Sequence, residues 1–286
     1  TDPDNVWTDG AVVDAHIYAG YTYDYYFRRF NRRGLNDANI RMINMVHPVR
    51  RVDYSSYAFI YPLFFANAAY YGNGTMVYGV GLPSGITSGG RTWNHTPAAI
   101  DIVAHELTHG VTDYTSDLIY QNEWGALNES FSDIIGAAVE FMFQPLGSNM
   151  MQADYLMGED AVRPAGIRSF SNPNAYGHPD HYSVRFTGTA DGGGVHINSS
   201  ISNHAFYLAV EGGTNRISGI TVQGIGAANR VQMETIFYRT ITQLLPANAT
   251  FAMARDATIQ AARDLYGAGS AAERAITDAW TAVGVN

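Results

Sequence analysis

Val103-Ala104-His105-Glu106-Leu107-Thr108-His109-Gly110, followed by Asn128-Glu129-Ser130-Phe131-Ser132-Asp133 with nineteen residues between His109 and Glu129, is the stretch on which the reading of this chain turns. His105 and His109 stand four apart and so share one face of a helix, where both imidazoles can point at one ion with Glu106 beside it. So short a pattern also arises by chance on a solvated helix, and its surroundings must decide. The spacer lets the first helix end, a loop containing Gly125 reverse the chain, and a second helix bring the Glu129 carboxylate against the first. Two histidines and one carboxylate leave the fourth position of a tetrahedral ion to water, as in a catalytic zinc site; a closed structural site fills all four. Asp133 lies one helical turn beyond Glu129 and suits the free N–H of a ligating imidazole, although by itself it would be read as surface charge.

Outward from this stretch, the chain up to about Pro97 is mixed. A helix-like run at Asp14–Arg33 is followed by aromatic, alternating pieces at Ile40–His47 and Thr75–Val80. Beyond Pro97 the period turns helical over Pro97–Tyr114, Ala126–Phe143, Asn198–Glu211, Asn229–Leu245, Thr250–Tyr266 and Ala271–Val283. The irregular run Gly147–Gly194 is too long for a mere connector and reads as functional loop. No internal repeat or low-complexity tract is present.

A third segment, Asp191-Gly192-Gly193-Gly194-Val195-His196-Ile197-Asn198, sets an imidazole at a loop–helix junction with Asp191 near enough to fix its tautomer. Taken alone it is weak, since a histidine beside glycines is more often structural. No Lys-Ser/Thr follows the glycines, which removes the phosphate-loop reading, and Gly79-x-Gly81 lacks the third glycine of a dinucleotide site.

Composition bounds the rest. Zero cysteines exclude disulfides, Cys-ligated zinc and thiol catalysis, leaving nine histidines as the metal-ligand pool. A net charge of −9 argues against nucleic acid and anionic membrane surfaces as partners, and allows some carboxylates to be calcium ligands. No apolar run approaches the ~18 residues of a membrane span. The chain begins at Thr1 without a basic, apolar leader, so any signal or pro-segment is expected to have been removed or left out.

With these three segments in one order, the chain resembles the thermolysin-family zinc metalloproteases. The likeness extends through Val13–Gly20, Met76–Gly79, Gly110–Asp133, Gly158–Asp160, Asp180–Ser183 and Thr187–Gly188. Metzincins are excluded, because Thr112 and Thr115 stand where their glycine and third histidine would be. The resemblance implies an α+β, zincin-type fold of two lobes. Residues 1–115 would form a mixed, β-rich N-terminal lobe ending in the zinc helix, 116–286 a mainly α-helical lobe, and the zinc would lie in the cleft between. Family catalytic domains begin with a β-rich segment before the point that matches Thr1; the resemblance implies either that it has been cut away here or that this member is naturally short.

The resemblance also implies roles. Zinc would sit on His105, His109 and Glu129, with Glu106 as general base, Tyr120 and His196 as donors to the developing oxyanion, and Asp191 orienting His196. Asp133 and Asn128 would steady the ligand imidazoles, so the glycosylation-like Asn128-Glu129-Ser130 is accidental. Arg168 would grip the substrate carbonyl on the leaving-group side, and Asn67 the substrate backbone. Ile102, Ile167 and Trp93 would line a pocket for bulky hydrophobic side chains. Asp101, Glu140, Asp154, Leu156 and Glu159 fall on calcium positions; Leu156 offers only its carbonyl, so one structural Ca²⁺ is expected. Asp2 and Asp4 resemble a further calcium loop, while the loop from Asp160 to Arg168 is too short for the calcium carried there in thermolysin. The implied protein is a secreted, extracellular, monomeric endopeptidase acting on peptides and proteins. A zinc aminopeptidase, distinguished by failure on N-acetylated peptides, and an inactive peptide-binding homologue are the rival readings.

Overall fold

The computed structural model describes residues 7–286, so Asp2 and Asp4 lie outside the described residues. The chain forms two compact units. One runs to Gly110 and takes in Ile135–Ile167; the other comprises Val111–Ile134 and Arg168–Asn286.

In the first unit, helix α1 (Gly10–Phe30) starts a turn earlier than its periodicity predicts, because the Asp9 carboxylate caps it by accepting from the Val12 N–H at 3.2 Å. It stops at Asn31, whose left-handed backbone (φ 55°) closes the last turn. Ala11, Ala15, Tyr18, Ala19, Thr22, Tyr25 and Tyr26 form its buried stripe. Strands β1 (Ile43–Met45), β2 (Ala68–Tyr70) and β3 (Thr75–Tyr78) make a sheet in the order β1-β3-β2. β1 lies parallel to β3 with Ile43 opposite Thr75, and β2 antiparallel with Ala69 opposite Val77. The central strand buries Met76, Val77 and Tyr78, which leaves β2 as an edge. Between β1 and β2 the chain makes helical turns, among them α2 (Tyr54–Tyr57) and α3 (Tyr61–Phe64). β4 (Thr92–Trp93) pairs with β6 (Val162–Arg163); β5 is Leu156–Met157.

Helices α4 (Ile100–Asp113) and α5 (Asn122–Phe143) each pass through the division between units. Within the first unit they approach closely: a Cβ on Gly136 would stand 2.7 Å from the Asp101 carbonyl oxygen. Only glycine lets α5 come so near the first turn of α4.

The second unit contains β7 (Arg168–Ser169), α6 (Asp191–Glu211), the short pair β8 (Gly213–Thr214) and β9 (Thr221–Val222), α7 (Arg230–Arg239), α8 (Phe251–Tyr266) and α9 (Ala271–Ala282). The helix expected to run to Leu245 ends its regular part at Arg239 and continues as a π-turn over Thr240–Leu244. Thr250 and Ser270 cap α8 and α9. Phe131, Phe206 and Phe237 meet edge to face at 5.3–5.8 Å between centroids, and the Trp280 indole donates to Thr258 Oγ1 at 2.9 Å. Among the described residues no helix is long and apolar enough to cross a membrane.

Candidate active site

α4 carries His105 and His109 on one face, as their spacing requires. Their Nε2 atoms face each other at 3.0 Å with the rings nearly perpendicular, 85°. Two nitrogens each ~2.0–2.1 Å from one tetrahedral ion would stand about 3.3 Å apart, so the pair already has the spacing of metal ligands. Ligand atoms of His105, His109 and Glu129 all lie within 4.8 Å of one another. Glu106 is buried, and it points from the same helix.

Around Glu129 the second unit gathers the donors. The Tyr120 hydroxyl donates to Glu129 Oε1 and lies 3.1 Å from His196 Nε2, which is itself 3.5 Å from Glu129 Oε1. Asp191 holds His196 twice: Oδ1 meets Nδ1 at 2.6 Å, and Oδ2 accepts the His196 backbone N–H at 2.9 Å. That grip comes from backbone geometry. Gly192, Gly193 and Gly194 take φ of 58°, 91° and 84°, which other residues adopt only with strain, and the right-handed helix begins after them. Burial works against the His196 imidazolium, but the Glu129 charge and the Asp191 hydrogen bond outweigh it and raise the pKa. The ring remains 47% exposed, open to a ligand from solvent.

Asp133 grips Arg168 with both oxygens, at 2.8 and 2.7 Å, and also accepts from Asn203 at 2.7 Å. Burial pulls the Arg168 pKa down, yet the Asp133 carboxylate more than offsets this and raises it. Asn128 donates to the Leu118 carbonyl at 3.2 Å. In the first unit, Ile102 packs with Ala99, Ala161 and Val162, and Trp93 and Ile167 cover the same cluster. Asn67 stands just before edge strand β2, its carbonyl accepting from Gly79 N–H at 2.7 Å.

The acidic residues also gather. Asp101 accepts from the backbone N–H groups of Ile102 (2.7 Å) and Gly158 (2.6 Å), and Asp154 from that of Leu156 (2.6 Å). Glu140 Oε2 and both Glu159 oxygens are buried without a hydrogen-bond partner. Burial first, then the charge of Asp101, pushes the Glu140 and Glu159 carboxyls far above the ordinary range, and burial raises Asp154 as well. Buried, mutually repelling carboxylate oxygens are the donor set a hard divalent cation satisfies. Asp160, which sequence reasoning did not assign, is buried beside them and accepts from Met151 N–H at 2.7 Å.

Two family models cover the chain: the thermolysin metallopeptidase catalytic domain matches residues 1–113, and the thermolysin metallopeptidase alpha-helical domain residues 116–285. The chain belongs to the thermolysin metallopeptidase family. Bacillolysin of Bacillus cereus is 44% identical over 292 residues, covering 100% of this chain and 46% of its own length. Thermolysin of Alicyclobacillus acidocaldarius subsp. acidocaldarius is 41% identical over 297 residues, covering 99% of this chain and 48% of its own length. The chain thus spans about half the length of the curated relatives it matches. Among solved structures, the precursor of protealysin, a metalloproteinase from Serratia proteamaculans, superposes with a TM-score of 0.76 at 29% identity, covering 100% of this chain and 82% of that one. The family uses a catalytic zinc and structural calcium, and this thermolysin-family chain has a fitting donor set for each: facing imidazoles with a carboxylate for zinc, and orphaned carboxylate oxygens for calcium.

Proposed function

We propose that this chain is a secreted zinc endopeptidase that cuts peptide bonds before bulky hydrophobic residues, with residues 1–115 and 116–286 as its two lobes. The convergence of His105, His109 and Glu129 carries the reading. Bound zinc supplies Lewis acidity toward the attacking water and the scissile carbonyl.

The chain's own residues do the rest. Glu106 takes the proton of the attacking water and passes it to the leaving nitrogen. Tyr120 and His196 donate to the carbonyl oxygen as negative charge develops on it; Asp191, by accepting from Nδ1–H, favours the His196 imidazolium, the form in which Nε2–H is also a donor. Asp133 and Asn128 steady the ligand imidazoles. Arg168 binds the carbonyl of the residue after the scissile bond, while Asn67 and the free edge of β2 align the substrate backbone. The apolar wall of Ile102, Ile167 and Trp93 favours a large aliphatic or aromatic side chain there. Asp101, Glu140, Asp154, Glu159 and the Leu156 carbonyl take one structural calcium.

Digestion of an unbiased peptide mixture, with the cuts mapped by mass spectrometry, tests this. Cuts within chains, N-terminal to Leu, Ile or Phe, and abolished by a chelator, are expected. Removal of single N-terminal residues, or no cleavage by the zinc-loaded protein, would refute it.

A further inference from the structure

Behind Arg168 lies a chain of three buried polar side chains, Asp133, Asn203 and Ser130, the last two of which have no part in the reaction described above. Arg168 donates from Nε to Asp133 Oδ2 at 2.8 Å and from Nη2 to Oδ1 at 2.7 Å. Asn203 Nδ2 donates to the same Oδ2 at 2.7 Å, and Ser130 Oγ donates to Asn203 Oδ1 at 2.8 Å. All four residues are 8% exposed or less. The direction of every bond is fixed. A carboxylate held to a guanidinium only accepts, so the Asn203 amide must turn its NH2 toward Asp133 and its oxygen toward the Ser130 hydroxyl.

We infer that Asn203, backed by Ser130, is a positioning residue that holds the Asp133 carboxylate in the plane where it aims the Arg168 guanidinium at substrate. The inference rests on the reading of Arg168 as the group that binds the leaving-side carbonyl. A bidentate pair fixes the guanidinium only as well as the carboxylate is itself fixed. Asp133 extends from α5, and its terminal torsion is broad and soft, so each added hydrogen bond narrows the freedom of the carboxylate. Asn203 and Ser130 remove that freedom from two helices at once. Two of the five guanidinium N–H groups are spent on Asp133, and the remaining three are kept in one orientation for a ligand. Asn203 also stands seven residues, two helical turns, beyond His196 on α6.

The test uses the zinc- and calcium-loaded chain and two acyl-peptide substrates, one ending in leucine amide and the other in isopentylamide after the scissile bond. They share the aliphatic group, but only the first has the carbonyl for Arg168. The parent is expected to prefer the carbonyl-bearing substrate in kcat/KM, and Arg168→Met to lose that preference. Asn203→Leu is expected to lose about ten-fold of it and Ser130→Ala about two- to three-fold, with zinc content unchanged, as for hydrogen bonds that act on a charged pair. In the Arg168→Met background Asn203→Leu should reduce kcat/KM no further, because both changes act through one group. If Asn203→Leu folds and keeps the parent preference, or its loss adds to that of Arg168→Met, the positioning role is wrong while the role of Arg168 stands. If Asn203→Leu does not fold, Ser130→Ala decides alone, and an unchanged preference overturns the inference. Should Arg168→Met itself retain the preference, the reading of Arg168 falls and the inference with it.

Discussion

The carboxylates of the second unit and those of the first meet burial in opposite ways. Around His196 and Arg168, Asp191 holds an imidazole and a backbone N–H, and Asp133 a guanidinium and an amide. Around Glu140 and Glu159, buried carboxylate oxygens face one another with no donor, and their proton affinity climbs accordingly. The first arrangement holds its donors in place through the polypeptide alone, which is what stabilising a developing charge requires. The second is complete only with a cation, and its stability is borrowed from the solution.

The sharpest break in this contrast is His196→Ala. If the donor cluster works as a preformed unit, kcat should fall by about 10²–10³ with KM nearly unchanged, and zinc binding and melting temperature should stay near the parent's. An unaltered kcat in steady-state kinetics would return His196 to a structural role.

Next comes the double variant Asp101→Asn, Glu140→Gln. Calcium at a hundred times its Kd stabilises by about 2.7 kcal/mol, which corresponds to roughly 5–10 °C in a domain of this size. Calorimetry in millimolar calcium should show that loss in the variant; a parent-like melting temperature would mean that no ion is held there. The same cluster gives a pH signature. With calcium stripped by a calcium-selective chelator, the raised carboxyls bind protons that the unfolded chain releases above the ordinary glutamate value of 4.5. The folded state then holds more protons than the unfolded one, so stability falls as pH rises from there through neutrality. Calcium should abolish the trend, and a chelated protein that grows more stable over that range would contradict it.

The smallest effect concerns His178, a partly buried residue whose Nδ1 has no hydrogen-bond partner. Burial, with Arg168 adding to it, pushes its pKa down from 6.5 to about 4. The unfolded chain takes up a proton in that window which the folded chain refuses, so stability falls as pH drops from 6.5 toward 4. His178→Asn should flatten this part of the melting curve against pH by a few degrees at most, about 2–4 °C per kcal/mol. An identical slope in the variant would show that other groups carry the acid response.

How much of this was legible follows from what local pattern encodes. The facing imidazoles of α4 follow from a four-residue spacing, and the reach of Glu129 from a spacer that fits a helix end, a turn and a helix start. The likeness to a known family supplied the rest of the expected site. What no local pattern contains is pairing across the chain: Asn203 meets Asp133 from seventy residues away and Ser130 from seventy-three. Asp160 was missed because a buried acid and a solvated one look alike in sequence. The π-turn at Thr240–Leu244 escaped because its residues continue a helical period, and the left-handed glycines ahead of His196 because glycine permits that backbone without demanding it.

His105, His109 and Glu129 are proposed to hold a zinc ion that Glu106 serves as base without ligating. Metal analysis and peptide turnover of the parent, Glu106→Gln and His109→Ala, measured side by side after identical zinc loading and desalting, separate the ligands from the base. One tightly held zinc is expected in the parent and in Glu106→Gln, turnover in the parent alone, and neither zinc nor turnover in His109→Ala. Loss of zinc from Glu106→Gln, or parent-like turnover in it, would overturn this division of roles.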